Sequence, residues 1–310
     1  MQPTNLELPP SSSDPCLWAD FVELRALIHP DRCYSRGDLV SVAKGIMVTA
    51  PHRQFQPETQ WRDLISFAGA RRIAFGDQTY PFAVSDDEDT LELRPGALTP
   101  LQRAYLLLLL ASLLRHIPKG KERTALTRGF EQFSLKVFER LMPDGSQVHA
   151  TGAGGGKSSR YTGTLFNKMK SMAIDIRATS NFAERDFKRG DSGDGGIDLV
   201  AWHPMADERK GIPAALAQCG CSVEDWRFKQ LEVNYAKLQH KLPIMHPWAS
   251  YYFLPLDFRH ADGGWANESD LGGTIIVDRL RLLRLADAHQ LHASLPRWAP
   301  LNAIMKMSYR

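Results

Sequence analysis

The sequence predicts a mixed α/β fold of the α+β type, because short apolar strands alternate with amphipathic helices along most of its 310 residues. The hydrophobic share is 43%, enough to bury a core without help from disulfides or metal. The charged share is 24%, close to the globular average, which excludes extensive disorder. The length allows one large domain or two ordinary ones.

The first part, residues 1–118, is predicted to be a mainly helical domain with a small sheet. Its first 15 residues form a polar, Pro/Ser-rich leader. Thr99 followed by Pro100 is typical of a helix start, and this Leu-rich helix extends to His116. Apolar spacing predicts further helices over 19–28, 35–45 and 61–70. Short strands separated by turn residues are predicted over 72–75, 80–84 and 90–93.

A second domain is predicted over residues 119–310, with the boundary at the Lys119-Gly120-Lys121 segment. Helical spacing of apolar residues indicates helices over 127–141, 165–176 and 278–285. Ser222, with Asp225 three residues later, is typical of a capped helix start. Strands are predicted over 147–150, 197–202, 212–219, 251–256 and 274–277.

Charge is distributed unevenly along the chain. Residues 1–100 carry 9 Lys/Arg and 14 Asp/Glu, a net of −5. Residues 115–190 carry 15 Lys/Arg and 7 Asp/Glu, a net of +8. Such a basic segment fits either a surface that binds a polyanion or a solvated helical face, and charge alone does not separate the two.

The sequence predicts neither a signal peptide nor a membrane span. Its longest apolar run, 104–114, has 11 residues, whereas a span needs about 20. The start of the chain lacks the basic and apolar regions of a signal peptide. Four cysteines show no disulfide pattern. We therefore expect a soluble, cytoplasmic protein without membrane contact.

A Gly-rich loop over 152–158 resembles a phosphate-binding P-loop but lacks its first glycine, since Thr151 stands there. The strand over 274–277 ends in Asp278, as a magnesium-positioning acid would require. An ATPase is therefore a third and weaker hypothesis, and a flexible basic loop is the simpler interpretation.

Two predicted strands bring hard oxygen ligands together. Asp198 lies within an apolar strand after a Gly/Asp-rich turn, where an ionised carboxylate is costly unless a positive group meets it. Asp194 is explained as a turn residue that caps its own backbone. Gln218 ends the next apolar strand. Carboxylate and amide oxygens on neighbouring strands suit Mg²⁺.

These residues resemble a known family. The Gly-Gly-Ile-Asp-Leu motif over 195–199, followed by a strand that ends in Gln218-Cys219, resembles the Mrr-type restriction endonucleases of the PD-(D/E)XK nuclease superfamily. The helix that carries Glu131 is similar to their first core helix. The resemblance covers roughly residues 124–235. It implies a restriction-endonuclease-like core, with a mixed central sheet flanked by helices.

The resemblance also implies a chemistry. The expected activity is hydrolysis of DNA phosphodiesters with Mg²⁺ or Mn²⁺, in defence against phage or other foreign DNA. Metal binding falls to Asp198, Glu131, the Gln218 side chain and the Cys219 carbonyl. The family has a catalytic Lys where this chain has Gly220, and Lys229 on the following helix is the expected replacement. The residues expected to bind phosphates are Lys157, Arg160, Lys168 and Lys170.

Two alternatives remain open. Lys229 could instead form a solvated salt bridge with Asp225, four residues earlier on the same helix face. Because Gly220 replaces the usual Lys, the chain could also be a non-cleaving nuclease fold that binds DNA or assembles with other subunits of a defence system. The predicted domain 1–118 would then be the part that contacts those subunits.

Overall fold

The computed structural model describes residues 8–10, 14–49, 56–152, 159–266 and 268–295, which form nine helices and eight strands. The helices are α1 Pro15–Ile28, α2 Arg36–Thr49, α3 Pro57–Phe75, α4 Pro100–Ser112, α5 Lys121–Leu141, α6 Leu165–Asp175, α7 Trp226–Lys229, α8 Tyr235–Leu238 and α9 Arg279–Ala288. The strands are β1 Cys33–Ser35, β2 Phe82–Val84, β3 Thr90–Leu93, β4 Gln147–Ala150, β5 Leu199–Trp202, β6 Ala214–Cys219, β7 Ala249–Phe253 and β8 Ile275–Val277. The predicted mixed α/β class is confirmed.

The strands form two sheets. The small one has the order β1-β3-β2 and is antiparallel throughout. The large one has the order β4-β5-β6-β7-β8 and is mixed: β4, β5 and β6 are antiparallel neighbours, whereas β6, β7 and β8 run parallel. Alternation along β6 sends Ala215 and Ala217 into a core with α5 and α9, and Leu216 into a second core with α6. Helices therefore cover both faces of the mixed sheet.

The main core runs across the predicted domain boundary. Trp18 and Leu107, from residues before 119, pack in the same buried cluster as Phe130 and Leu283, from residues after it. Among the described residues, no helix is long and apolar enough to cross a membrane.

Several predicted elements need correction. Residues 72–75 are not a strand but the end of α3, because Phe67, Arg71 and Phe75 recur four apart on its buried face. Gly76, with a φ of 75°, then ends the helix. The short strand β1 is not among the predicted strands. The helix expected after Ser222 has only the single turn of α7.

Two fully buried arginines link the beginning of the chain to its end. Arg71 on α3 forms ion pairs with Asp20 at 2.8 Å, Glu23 at 2.7 Å and Asp257 at 2.9 Å. Arg279, the first residue of α9, pairs with Asp20 at 2.6 Å and donates a hydrogen bond to Ser112 Oγ at 3.1 Å. Two tyrosine hydroxyls complete this ion network: Tyr80 and Tyr105 each donate a hydrogen bond to the Glu23 carboxylate.

This network contains three carboxylates and two guanidinium groups, so one carboxylate lacks a full positive partner. Asp257 is that residue: burial raises its pKa to about 6, although nearby Arg71 opposes the shift. Its Oδ1 has no hydrogen-bond partner among the described residues. A buried charge that is only partly paired is costly, so folding shifts this carboxyl toward its protonated form relative to the unfolded chain.

We expect the stability of the protein to depend on Asp257 as the pH changes. The pKa of Asp257 is about 6 in the folded protein, against an ordinary value of 3.8. Its stabilising contribution is therefore complete below about pH 4 and is lost as the pH rises through about 6. Asp257→Asn cannot titrate, so its unfolding free energy relative to wild type should rise by about 1–3 kcal/mol from pH 4 to pH 8.

Urea unfolding at several pH values measures this difference. Asp63→Asn removes an exposed carboxylate from α3 and serves as the matched control. A difference for Asp257→Asn that stays constant with pH, like that of the control, would contradict the assignment.

Candidate active site

Asp198 lies at one edge of the large sheet, directly before β5. The prediction that it lies inside the strand is wrong by one residue, since β5 begins at Leu199. Its backbone still continues the ladder, because its N–H donates to the carbonyl of Ala217 at 2.9 Å. Its carboxylate Oδ2 accepts the backbone N–H of Cys219 at 2.7 Å. This side chain is therefore fixed at the end of β6.

Other acidic groups lie close to Asp198. Burial raises the pKa of Asp198 well above its ordinary value, and the carboxylates of Asp194 and Glu131 raise it further. A Cβ placed on Gly152 would lie 3.3 Å from Asp194 Oδ2 and 3.8 Å from Asp198 Oδ1. Asp194 and Asp198 thus lie close together beside Gly152, and the charge of Glu131 acts on Asp198, so these carboxylates repel one another unless a proton or a cation is present.

Asp194 has a second role that the sequence interpretation missed. Its Oδ1 accepts the N–H of Gly196 at 2.9 Å, so the predicted capping of its own backbone is confirmed. Its other oxygen nevertheless faces Asp198 across Gly152. The sequence does carry a signal for this contact: Asp194 precedes Asp198 by only four residues, in a turn that folds back to the strand.

Glu131 reaches the site from helix α5. The apolar face of that helix, which includes Phe130, Val137 and Phe138, is buried in the main core against the large sheet. Glu131 follows Phe130 at the margin of that face and is half-buried. Packing of α5 therefore carries its carboxylate to the end of β6.

Gln218 contributes a buried acceptor beside Asp198. It is 8% exposed, and its Oε1 has no hydrogen-bond partner among the described residues. A buried polar atom without a partner is costly, so a ligand that accepted its lone pair would be favoured. No three His, Cys, Asp or Glu side chains in the described part of the chain form a metal-binding group by themselves. A metal here would need the mixed set of carboxylate, amide and backbone oxygens predicted from the sequence.

Gly220 stands where the sequence resemblance leads one to expect a lysine, and the structure gives a steric reason for glycine. Gln218 pairs with Tyr252 across the parallel β6–β7 register, which places the Tyr252 ring beside the end of β6. A Cβ on Gly220 would lie 2.0 Å from Tyr252 Oη and 2.8 Å from Cζ. Tyr252 is fully buried and its hydroxyl has no partner among the described residues. A side chain at 220 is therefore excluded while Tyr252 is present.

Lys229, at the end of α7, lines a cavity of about 580 Å³ together with Glu131, Cys219 and Cys221. Burial raises the pKa of the Cys221 thiol; the carboxylates of Glu131 and Asp198 raise it further, whereas Lys229 lowers it. The charges of these three predicted site residues thus all act on one thiol. The fold places Glu131 from α5 and Lys229 from α7 in the lining of one cavity, and Asp198, which does not line it, contacts the backbone of Cys219, which does.

The alternative salt bridge of Lys229 is not formed. The Asp225 carboxylate accepts from Ser222 Oγ at 3.2 Å, and Lys229 donates only its backbone N–H to Asp225, at 3.0 Å. Within the described residues the Lys229 ammonium forms no salt bridge, so its charge is available to the cavity.

The residues predicted to bind phosphates differ in their surroundings. Arg160 donates two hydrogen bonds, at 2.6 and 2.7 Å, to the buried Asp175 carboxylate, which neutralises its charge. Lys168 donates to the carbonyls of residues 192 and 193, the turn that leads to Asp194. Lys170 is exposed on α6. Lys157 and the Gly-rich segment 153–158 lie outside the described residues.

Comparison with known proteins gives no family. No protein-family model matches the chain, and neither does any curated protein or solved structure. The function must therefore be argued from the chemistry of the site.

We expect Gly220→Ala to destabilise the protein. The added Cβ overlaps the Tyr252 hydroxyl, and overpacking of this kind costs about 1–3 kcal/mol. In a Tyr252→Ala background the ring is gone, so adding Gly220→Ala should cost nothing further. Urea unfolding of the wild type, the two single variants and the double variant measures the coupling free energy between positions 220 and 252.

Gly69→Ala is the matched control for this cycle. Gly69 lies inside α3, and a Cβ added there would meet no atom within 4 Å, so alanine should stabilise the protein by about 0.5–1 kcal/mol. If Gly220→Ala were as stable as Gly69→Ala, the steric account of Gly220 would be wrong.

Proposed function

We propose that the protein is a metal-dependent deoxyribonuclease with a restriction-endonuclease-like core. The observation that carries the proposal is the cavity lined by Glu131, Cys219 and Lys229, next to the Asp198 carboxylate that the Cys219 N–H holds at the end of β6. Carboxylates that gather beside a lysine in a cavity suit phosphodiester hydrolysis, since the acids bind a divalent cation and the lysine meets an anionic phosphate. Defence against foreign DNA is the biological setting that the family resemblance implies.

The order of elements adds support. Helix α5 is followed by β4, then by helix α6, and then by β5 and β6, which complete an antiparallel run with β4. The short helices α7 and α8 then lead to β7, which is parallel to β6. This arrangement is a mixed sheet flanked by helices, as proposed for the nuclease core.

Asp198 and Glu131 would hold Mg²⁺ or Mn²⁺, together with the amide oxygen of Gln218 and the carbonyl of Cys219. The unpartnered Gln218 Oε1 and the mutual repulsion of the carboxylates both fit a cation at this edge. When bound, such an ion polarises the phosphoryl oxygen and makes the attacking water more acidic. The backbone N–H of Cys219 keeps Asp198 in a fixed orientation.

Lys229 would act on the phosphate rather than on the metal. Its ammonium is a compact charge on a flexible stem and can donate to a nonbridging phosphate oxygen, where negative charge develops in the transition state. Lys170, exposed on α6, would contact the DNA backbone at a distance from the reacting atoms. Lys168 would act indirectly, because it holds the turn before Asp194.

One observation favours the rival function, a non-cleaving DNA-binding or assembly subunit. The ring of Tyr252 occupies the space where the usual Lys would begin, so no cation reaches the site from position 220. Lys229 distinguishes the two functions, because a nuclease needs its positive charge for cleavage whereas a non-cleaving subunit does not.

Cleavage assays with Mg²⁺ on circular single-stranded and supercoiled double-stranded DNA test the proposal. We expect the wild type to cut at least one of them, and Asp198→Asn to lose activity by more than about 100-fold, because several kcal/mol of transition-state stabilisation depend on the metal. Asparagine keeps the acceptor for the Cys219 N–H, so the fold should persist. Wild-type activity in Asp198→Asn would show that the site is assigned wrongly.

Lys229→Ala should slow cleavage by about 100-fold or more while DNA binding changes little, because the lost interaction is strongest in the transition state. Lys237→Ala removes an exposed lysine from the neighbouring helix α8 and should leave the rate unchanged. Equal rates for the two variants would exclude Lys229 from catalysis and would favour the non-cleaving subunit.

A further inference from the structure

The cavity beside Lys229 has a wall from each half of the chain. Leu17 of α1 and residues 112–115, at the end of α4 and just beyond it, form one side, while α5, the end of β6 and α7 form the other. Its volume is about 580 Å³, so a sphere of equal volume is about 10 Å across. This is the size of a site for one small organic ligand.

Four cationic side chains line this cavity: Arg115, Arg123, Arg227 and Lys229. Arg227 is paired with Asp270 at 2.8 Å, and Arg115 donates to the ring of His116 at 2.9 Å. Arg123, in the first turn of α5, forms no salt bridge with a described residue. Arg123 and Lys229 therefore offer two cations to an anionic ligand.

The same cavity has an apolar wall. Leu17, Val223 and Phe258 line it, and Phe258 is held edge-on against Trp226 at a ring-centroid distance of 4.3 Å. An apolar surface next to two cations suits a ligand in which a phosphate is joined to a flat aromatic ring or to the carbon skeleton of a sugar. A nucleotide unit has that composition.

We infer that this cavity binds one nucleotide unit of a single DNA strand, so that the substrate is single-stranded DNA or a frayed strand end. The inference rests on the proposed function, since it places the strand next to Lys229 and Glu131. A duplex keeps its bases stacked and paired, so a base can enter a cavity about 10 Å across only from an unpaired strand. Arg123 grips the phosphate adjoining the one at Lys229, and the apolar wall receives the base or deoxyribose.

Binding can be measured without cleavage in full-length protein carrying Asp198→Asn. The probes are a fluorescent 12-nucleotide single strand, the blunt duplex of the same sequence, and a deoxynucleoside monophosphate as competitor. We expect the single strand to bind at least about 10-fold more tightly than the duplex. Arg123→Ala should weaken binding of the single strand by about 10-fold, as expected when one charged hydrogen bond is lost.

Arg128→Ala is the matched control, because Arg128 is exposed on the same helix and does not line the cavity. It should change binding less than about 2-fold. Equal effects of the two arginine variants, or a duplex bound as tightly as the single strand, would overturn the inference. A monophosphate that binds while the oligonucleotide does not would overturn it too, and would assign the cavity to free nucleotides. Single-strand preference in a protein that never cleaves DNA would keep the inference and refute the nuclease.

Discussion

The buried ion network around Arg71 and Arg279 is the interaction on which the arrangement of the two halves depends. Asp20, 0% exposed, forms ion pairs with both arginines. Breaking a buried pair leaves an uncompensated charge and costs several kcal/mol, so these groups tolerate few other arrangements. Because Arg279 begins α9 and Ser112 ends α4, the network ties the helices of the first half to the large sheet. The wall that residues 112–115 give to the cavity is fixed by the same contacts.

At the edge of the large sheet, both backbone groups and packed side chains position the residues of the site. The Cys219 N–H holds Asp198, and α5 delivers Glu131 by burying its apolar face. Tyr252 fills the space next to Gly220, so in the proposed nuclease the cation would come from Lys229 on α7 instead. The site is therefore assembled from residues far apart in sequence, each positioned by the packing of its own element.

Local features were predictable from the sequence because their causes are local. Thr99 caps α4 as expected, where Gln102 completes a capping box, and the apolar period of α5 places Phe130 and Phe138 in the core. The end of α3 resembles a strand in sequence, since four residues carry too little periodicity to separate the two. Asp194 could have been found from its spacing to Asp198. Tyr252 could not, because only the parallel pairing of β6 with β7 brings it to Gly220.

The long-range features could not be predicted for a related reason. The partners in Arg71–Asp257 are 186 residues apart and those in Arg279–Asp20 are 259 apart, so no local pattern signals the pairing. The cavity likewise draws its lining from residues as distant as Pro10 and Phe258. Sequence patterns indicated the chemistry of single residues, while the enclosure around them depends on the tertiary fold.

The central claim is that the carboxylates at the edge of the large sheet bind a divalent cation. Titration of the protein with Mn²⁺, followed by the electron paramagnetic resonance signal of the free ion, tests it without DNA. The account predicts one site in the wild type that Asp198→Asn weakens by at least about 10-fold, whereas Asp63→Asn leaves it unchanged. Equal Mn²⁺ binding by all three proteins, or no binding by the wild type, would contradict the claim.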